Sequence, residues 1–211
     1  MSAPYVELHC HSSFSFLDGA SSPLELATAA AELGYPALGL VDHDGIWGSM
    51  EFAVSCKGAG VRPITGTELT VSAVGRLFHL TLLVEDEAGY RNLCRLLTEA
   101  HAHTRDGQGR QAGQPSLPLE SLAGFTEGLI CLSGCARQGM VASAWAEGDL
   151  ARGTGFARRL LGFFGPDNFR IELQRPFWRH DRARNRWLSE LAASLGVPAV
   201  TVGRGGLNGN M

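Results

Sequence analysis

The sequence shows no CxxC pair, no visible secretory signal, no long apolar run and no excess of basic charge. Each absence removes a class of function. Its five cysteines, Cys10, Cys56, Cys94, Cys131 and Cys135, form an odd, irregularly spaced set, which argues against a disulfide scaffold in a chain of this size. No stretch of about 18 apolar residues is present, so no membrane-spanning helix and no membrane partner are expected. The opening MSAPYVELHC lacks a basic region followed by an apolar one, and the expected compartment is the cytoplasm. The formal net charge is -3, so tight autonomous binding to nucleic acid would need a local patch. No internal repeat or low-complexity tract is evident.

What is present is the composition of one soluble core: 211 residues, 45% hydrophobic and 18% charged, suited to a single domain. Strand-like and helix-like segments alternate. A strand ends near His11, and Ser21 or Ser22 caps a helix that has Pro23 in its first turn and stops at Gly34. A buried strand over 36–44, a helix over 48–59 and a strand from Val61 follow. Residues 75–85 read as a strand paired with its predecessor as a hairpin, and a helix covers 90–101. Residues 105–116, polar and glycine-rich, read as a mobile surface loop. Strands over 128–135, at NFRIELQRP and over 198–203 are interleaved with helical stretches to about Phe164 and over 181–195. The last helix is amphipathic through Ala183, Trp187, Leu188, Leu191 and Leu195. About seven such units predict an α/β fold with a mainly parallel sheet, closed as a small barrel. In barrels, functional side chains gather at the C-terminal strand ends.

The stretch YVELHCHSSFSFLDGAS (residues 5–21) puts His9 and His11 two apart on a strand, hence on one face. Val6, Leu8 and Cys10 are expected on the other. Further candidate ligands recur where strands run out: Asp18 after the first, Asp42, His43 and Asp44 after the second, Glu68 late in the third, His79 in the fourth and Cys135 after the next. Imidazoles, carboxylates and a thiolate in one cluster are the donors of a multinuclear metal site. Paired ions about 3.5–4 Å apart serve phosphoryl displacement, so phosphate ester hydrolysis is the reaction class such a set suits.

ELHCHSSFSFLDG, LVDHDGIWG, PITGTEL, FHLTLLVEDEAGYRNLCRLL, LICLSGC and FRIELQRP, in that order, resemble the PHP (polymerase and histidinol phosphatase) domain over nearly the whole chain. The likeness is greatest to the N-terminal PHP domain of bacterial C-family DNA polymerases, the DNA polymerase III alpha-subunit group, and within it to the error-prone branch of damage-induced synthesis. The resemblance implies a distorted (β/α)7 barrel with its last unit incomplete, holding up to three divalent ions, zinc or manganese and alternatively iron. It implies His9, His11, Asp18, His43, Glu68, His79 and Cys135 as metal ligands. His9, His11, Asp18, His43 and Glu68 would also be catalytic through a water activated there. The family pattern ends with Asp-x-His, where this chain has Arg204 and Gly206, so two of nine positions depart from it. The resemblance further implies one PHP domain over 1–211, cut short at its C-terminus and without the polymerase domains.

The remaining polar residues have plainer readings. Asp42 or Asp44 orients a ligand imidazole or caps the next helix. Cys10, Cys56, Cys94 and Cys131 are read as packing, and His101 and His103 as solvent-exposed at a helix end. RPFWRHDRARNRW (175–187) is read as a solvated helix face rather than a phosphate-backbone contact. Three functions follow from the resemblance. One is a phosphoesterase acting as a 3'–5' exonuclease on single-stranded DNA or a primer 3' end. Another is a non-catalytic structural or interaction module for the parent's polymerase domains. The last is a free-standing PHP phosphomonoesterase.

Overall fold

The computed structural model describes residues 5–109 and 113–203. Its strands are β1 (Glu7–Cys10), β2 (Ala37–Leu40), β3 (Arg62–Ala73), β4 (Arg76–Val84), β5 (Leu117–Pro118), β6 (Leu129–Leu132), β7 (Phe169–Gln174) and β8 (Ala199–Val202). Seven of them pair in the order β1-β2-β3-β4-β6-β7-β8, and the two-residue β5 pairs beside β3. The result is a mixed α/β fold built on a nearly closed seven-stranded barrel, with one seam between β8 and β1. The expected barrel is therefore present. Pairing is parallel except on both sides of β4, which runs antiparallel to β3 and to β6.

The reversal of β4 is local chemistry. Ala73 pairs with Arg76 across Val74 and Gly75, whose φ angles are 46° and 73°. A two-residue turn with both φ angles positive matches the twist of a hairpin. The expected hairpin of residues 75–85 with the preceding strand is thus met. Helices α1 (Pro23–Glu32), α2 (Ser49–Gly58), α3 (Glu87–His101), α4 (Ala142–Ala146), α5 (Leu150–Phe164) and α6 (Asp181–Leu195) fill the connections. Ser22 caps α1 in a reciprocal arrangement with Glu25, and Pro23 opens it, as Ser and Pro at those positions favour. No described helix is long and apolar enough to cross a membrane.

Apolar residues of α3, α5 and α6, among them Leu93, Leu96, Leu160 and Leu188, bury against Leu80, Leu82, Cys131 and Ile171 of the barrel wall. Leu26, Ala27 and Ala30 of α1 and Phe52 and Cys56 of α2 cover Cys10, Leu38 and Leu40. A smaller group, Val41, Leu83, Leu132 and Val202, joined by Leu8, Ile64, Ile130 and Val200, draws on strands all round the barrel and so packs inside it.

This distribution corrects one expectation. Leu8 and Cys10 do not share a face: Leu8 joins the interior group and Cys10 the helix-covered one. The register between β1 and β2 slips, with Glu7 opposite Leu38 but Cys10 opposite Leu40. The extra residue in β1 breaks strict alternation. Between 105 and 116, residues 105–109 and 113–116 form no extended strand or helix, while 110–112 lie outside the described residues.

The seam is bridged by side chain rather than by a ladder. Glu7, 5% exposed, accepts from the Gly203 backbone N–H at 2.6 Å and the Tyr5 hydroxyl at 2.8 Å through Oε2. Its Oε1 accepts from the His9 N–H at 2.8 Å.

Candidate metal centre

Glu68 lies on β3 within the barrel mouth, 2% exposed, and four imidazoles converge on its carboxylate. Oε1 is 3.5 Å from His9 Nε2 and 3.3 Å from His79 Nδ1. Oε2 is 3.2 Å from His11 Nε2 and 3.3 Å from His43 Nδ1. The rings are tilted, stacked and edge to face in turn, with centroids 5.2 Å apart for His9–His11, 4.6 Å for His11–His43 and 5.1 Å for His43–His79. The ligand-type atoms fall into two triads, His9–His11–Glu68 and His43–Glu68–His79, each within 4.8 Å. One carboxylate serves both.

The side chains arrive from within strands or just beyond their ends. His9 and His11 come from the end of β1, and His43 follows β2, its backbone bridged to that of Glu68. His79 stands early in β4, and the reversal of that strand is what brings it to the same mouth. The outer nitrogens are held. His11 Nδ1 is 3.0 Å from Ser15 Oγ, whose hydroxyl donates to Asp42 Oδ1 at 2.6 Å. Asp42 also accepts from the Ser12 N–H and hydroxyl, both at 2.7 Å. His9 Nδ1 is 2.8 Å from Glu172 Oε1 and 3.0 Å from Thr81 Oγ1.

Burial alone would raise the Glu68 carboxyl, but the charge of His9 and the close approach of the His11, His79 and His9 imidazoles hold it well below the usual carboxylate range. Burial opposes charge on His9, yet Glu172 and Glu68 keep it well above the usual imidazole range. Burial pushes His11 down, helped by His9 and His43 against the pull of Glu68. The Cys135 thiol is driven well up by burial and by Glu68 and Glu172.

These residues fit divalent ions. Glu68 Oε1 is buried and has no hydrogen-bond partner among the described residues, although two imidazole nitrogens face it. A buried acceptor left without a donor is costly, and four imidazoles in successive ring contact cannot all carry protons without repulsion. Cations placed between neutral imidazoles and a shared carboxylate relieve both.

The family follows from a comparison with known proteins. The PHP domain matches residues 7–176. The chain belongs to the PHP domain family. Related full-length proteins are the error-prone DNA polymerase of Symbiobacterium thermophilum, 41% identical over 93% of this chain and 18% of its own length, and that of Cutibacterium acnes, 38% identical over 90% and 17%. DNA polymerase III subunit alpha of Treponema pallidum is 36% identical over 93% and 17%. This PHP domain thus spans under one fifth of these relatives. Among solved structures, a protein from Bifidobacterium adolescentis described as a metal-dependent phosphoesterase superposes with a TM-score of 0.63 at 16% identity, covering 99% of this chain and 91% of its own. An amidohydrolase from Chromobacterium violaceum gives 0.60 at 19%, covering 93% and 86%. At those identities the likeness shows the fold.

Within this PHP domain, five of the seven residues read as ligands converge: His9, His11, His43, Glu68 and His79. Asp18 stands at the rim, its side chain 48% exposed, with Oδ2 2.9 Å from His43 Nε2. Cys135 is outside both triads; its Sγ lies 3.4 Å from the Gln138 N–H. Asp42 orients an imidazole, but that of His11 through Ser15, not its neighbour His43. Asp44 accepts from Thr70 N–H and hydroxyl at 2.7 and 2.8 Å and so pins the loop to β3. Neither caps α2, whose N-cap is Gly48 without a side-chain bond. Arg204 and Gly206 lie outside the described residues.

Two readings are corrected. His101 is not solvent-exposed but partly buried, its Nε2 2.7 Å from the Asp44 carbonyl and its ring against Trp47. His103 is exposed as expected. In the 175–187 segment Arg184 is buried rather than solvated, pairing with Asp181 at 3.0 Å and donating to the Gln174 carbonyl at 2.7 Å. Glu172, Thr81, Ser12, Ser15 and Glu7 escaped sequence reasoning. An acid between Ile171 and Leu173 on an apolar strand is the same signal that marks Glu68, and it identifies Glu172.

Proposed function

We propose that this PHP domain is a metal-dependent phosphoesterase of an error-prone C-family DNA polymerase, removing nucleotides from single-stranded DNA or a primer 3' end. The observation that carries the reading is the Glu68 carboxylate, shared by four imidazole nitrogens at 3.2–3.5 Å with Oε1 lacking a donor. His9, His11 and Glu68 would hold one divalent ion and His43, His79 and Glu68 a second. Asp18 and Cys135 would complete the ligand set for up to three ions, with zinc or manganese favoured by this donor set and iron next. Bound ions of this kind supply Lewis acidity and an activated water to phosphate ester hydrolysis. The chain's own residues hold the ligands in place: Ser15 and Asp42 fix the His11 ring, and Asp18 holds His43 from the solvent side. The reading places the domain in the cytoplasm beside the polymerase domains of a parent protein, with residues 1–211 forming one domain.

A second reading is a non-catalytic module supporting those polymerase domains, favoured by Arg204 and Gly206 in place of the family's Asp-x-His. The decisive experiment is elemental analysis of protein purified without chelator, followed by assays on 3'-labelled single-stranded DNA and on a model phosphomonoester. Two or more ions with DNA shortened from its 3' end support the nuclease. Hydrolysis of the monoester alone points to a free-standing phosphatase. Folded protein with no metal and no activity on either substrate overturns the enzymatic reading in favour of the module.

A further inference from the structure

The ligand set proposed above leaves a fully buried acid unused. Glu172, on β7, is 1% exposed, far from any solvent that would solvate its charge. Its Oε1 lies 2.8 Å from His9 Nδ1 as a charge contact and has no hydrogen-bond partner among the described residues. Its Oε2 accepts from the Thr81 hydroxyl at 3.3 Å, and the same Thr81 Oγ1 is 3.0 Å from His9 Nδ1. The backbone beneath is anchored by the Ser133 hydroxyl, which accepts from Glu172 N–H at 2.9 Å. A buried carboxylate with one imidazole as its only charged partner is expensive to keep, so a plain packing role accounts for it poorly.

We infer that Glu172 is a positioning residue: through the Thr81 hydroxyl, which donates to Glu172 and accepts the Nδ1 proton of His9, and through its own charge contact with that nitrogen, it fixes the ring so that Nε2 faces Glu68 and would face a bound ion. The two nitrogens of an imidazole are distinct, and the hydrogen bond made by one sets what the other can ligate. His11 has the corresponding support from Ser15 and Asp42, so both histidines of the β1 end are held from their Nδ1 side. The His9 support differs in being a direct carboxylate contact, delivered from β7 across the seam. It also ties β7 to β1 and β4 through one side chain, next to the seam. This inference rests on the metal-centre reading.

The test compares wild type with Glu172→Leu, which removes the acceptor at similar volume, and Glu172→Gln, which keeps an acceptor oxygen for Nδ1–H. Zinc affinity is measured by calorimetry on chelator-stripped protein, and the His9 Nδ1–H proton is followed by nitrogen-edited NMR of the zinc-loaded forms. Removal of such outer partners typically weakens metal binding by roughly 10–100-fold. The expected result is a loss of that size in Glu172→Leu with disappearance of the Nδ1–H signal. Glu172→Gln should stay within a few-fold of wild type and keep the signal. Should Glu172→Leu fail to fold, Thr81→Val joins Glu172→Gln, and a shifted Nδ1–H signal with weaker zinc binding in Thr81→Val supports the inference. Unchanged affinity and an unchanged signal in Glu172→Leu, or in Thr81→Val when it stands in, overturn the positioning role while leaving the metal centre standing. Wild type that takes up no zinc overturns the metal centre itself, and the positioning role with it.

Discussion

At the residue scale, the shared carboxylate of Glu68 makes a sharp distinction between ligands. Glu68→Gln keeps the volume and loses the charge that both triads use, so it should abolish uptake of two ions together. Activity should then fall by more than the roughly 100-fold typical of lost outer-sphere support. His79→Ala touches one triad only and should cost about one ion per chain relative to wild type by elemental analysis; equal loss in both variants would show that the triads are not separate. Much of this was legible in the sequence because chemistry and spacing coincide there: HxH on a strand, His after the next strand, Glu on an apolar strand. What stayed hidden were the partners on the outer nitrogens. Thr81, Ser12 and Ser15 are small polar residues whose function exists only through contacts made 27 to 72 positions away, and nothing in their local pattern announces it.

At the scale of elements, α6 begins at Asp181 and ends at Leu195, as its apolar periodicity predicts. Its charges were less readable. Periodicity places Arg184 on a polar face, yet the turn after β7 folds over it and buries both Arg184 and Asp181. Asp181 also accepts from the Trp178 N–H at 2.9 Å. Asp181→Ala therefore strands a buried guanidinium and should cost about 3–5 kcal/mol, measured by urea unfolding. A surface link behaves differently. Glu147 joins Arg76 at 2.6 Å and Arg152 at 2.6 Å, and those hydrogen bonds lower its pKa to about 2. With the folded pKa depressed, the stabilising contribution is present above the ordinary value of 4.5 and fades as pH falls through about 2. The melting-temperature gap between wild type and Glu147→Gln should be small and should close over that interval, and it should shrink in high salt.

For the molecule as a whole, barrel closure and ligand assembly are one event, since His9, Glu68, His79 and Glu172 come from four strands. Metal that binds only the folded form stabilises it by mass action, by about 2.7 kcal/mol at a hundredfold excess over Kd. For a chain of this size that is a rise of roughly 5–10 °C in Tm, reversed by chelator. A Tm indifferent to zinc and manganese would count against the centre. The barrel itself was readable from β–α alternation, and the reversed β4 from its hairpin. The slipped register of β1 was not, because a bulge leaves the hydrophobic pattern looking like plain alternation.

The hairpin of β3 and β4 has a kinetic consequence. Glu68 stands directly opposite Thr81, and Thr70 opposite His79, all joined by a two-residue turn. This unit needs no long loop to close, so its contacts are the kind that form early in folding. The carboxylate at the heart of the centre, one of its imidazoles and the hydroxyl that meets His9 are thereby set at their spacing before the distant strands arrive. His9 and Glu172 must then find Thr81 across 72 and 91 residues. Folding followed by pulsed hydrogen exchange should protect the β3–β4 amides first and those of β1, β7 and β8 last, so that the ligand set fills around a template already in place.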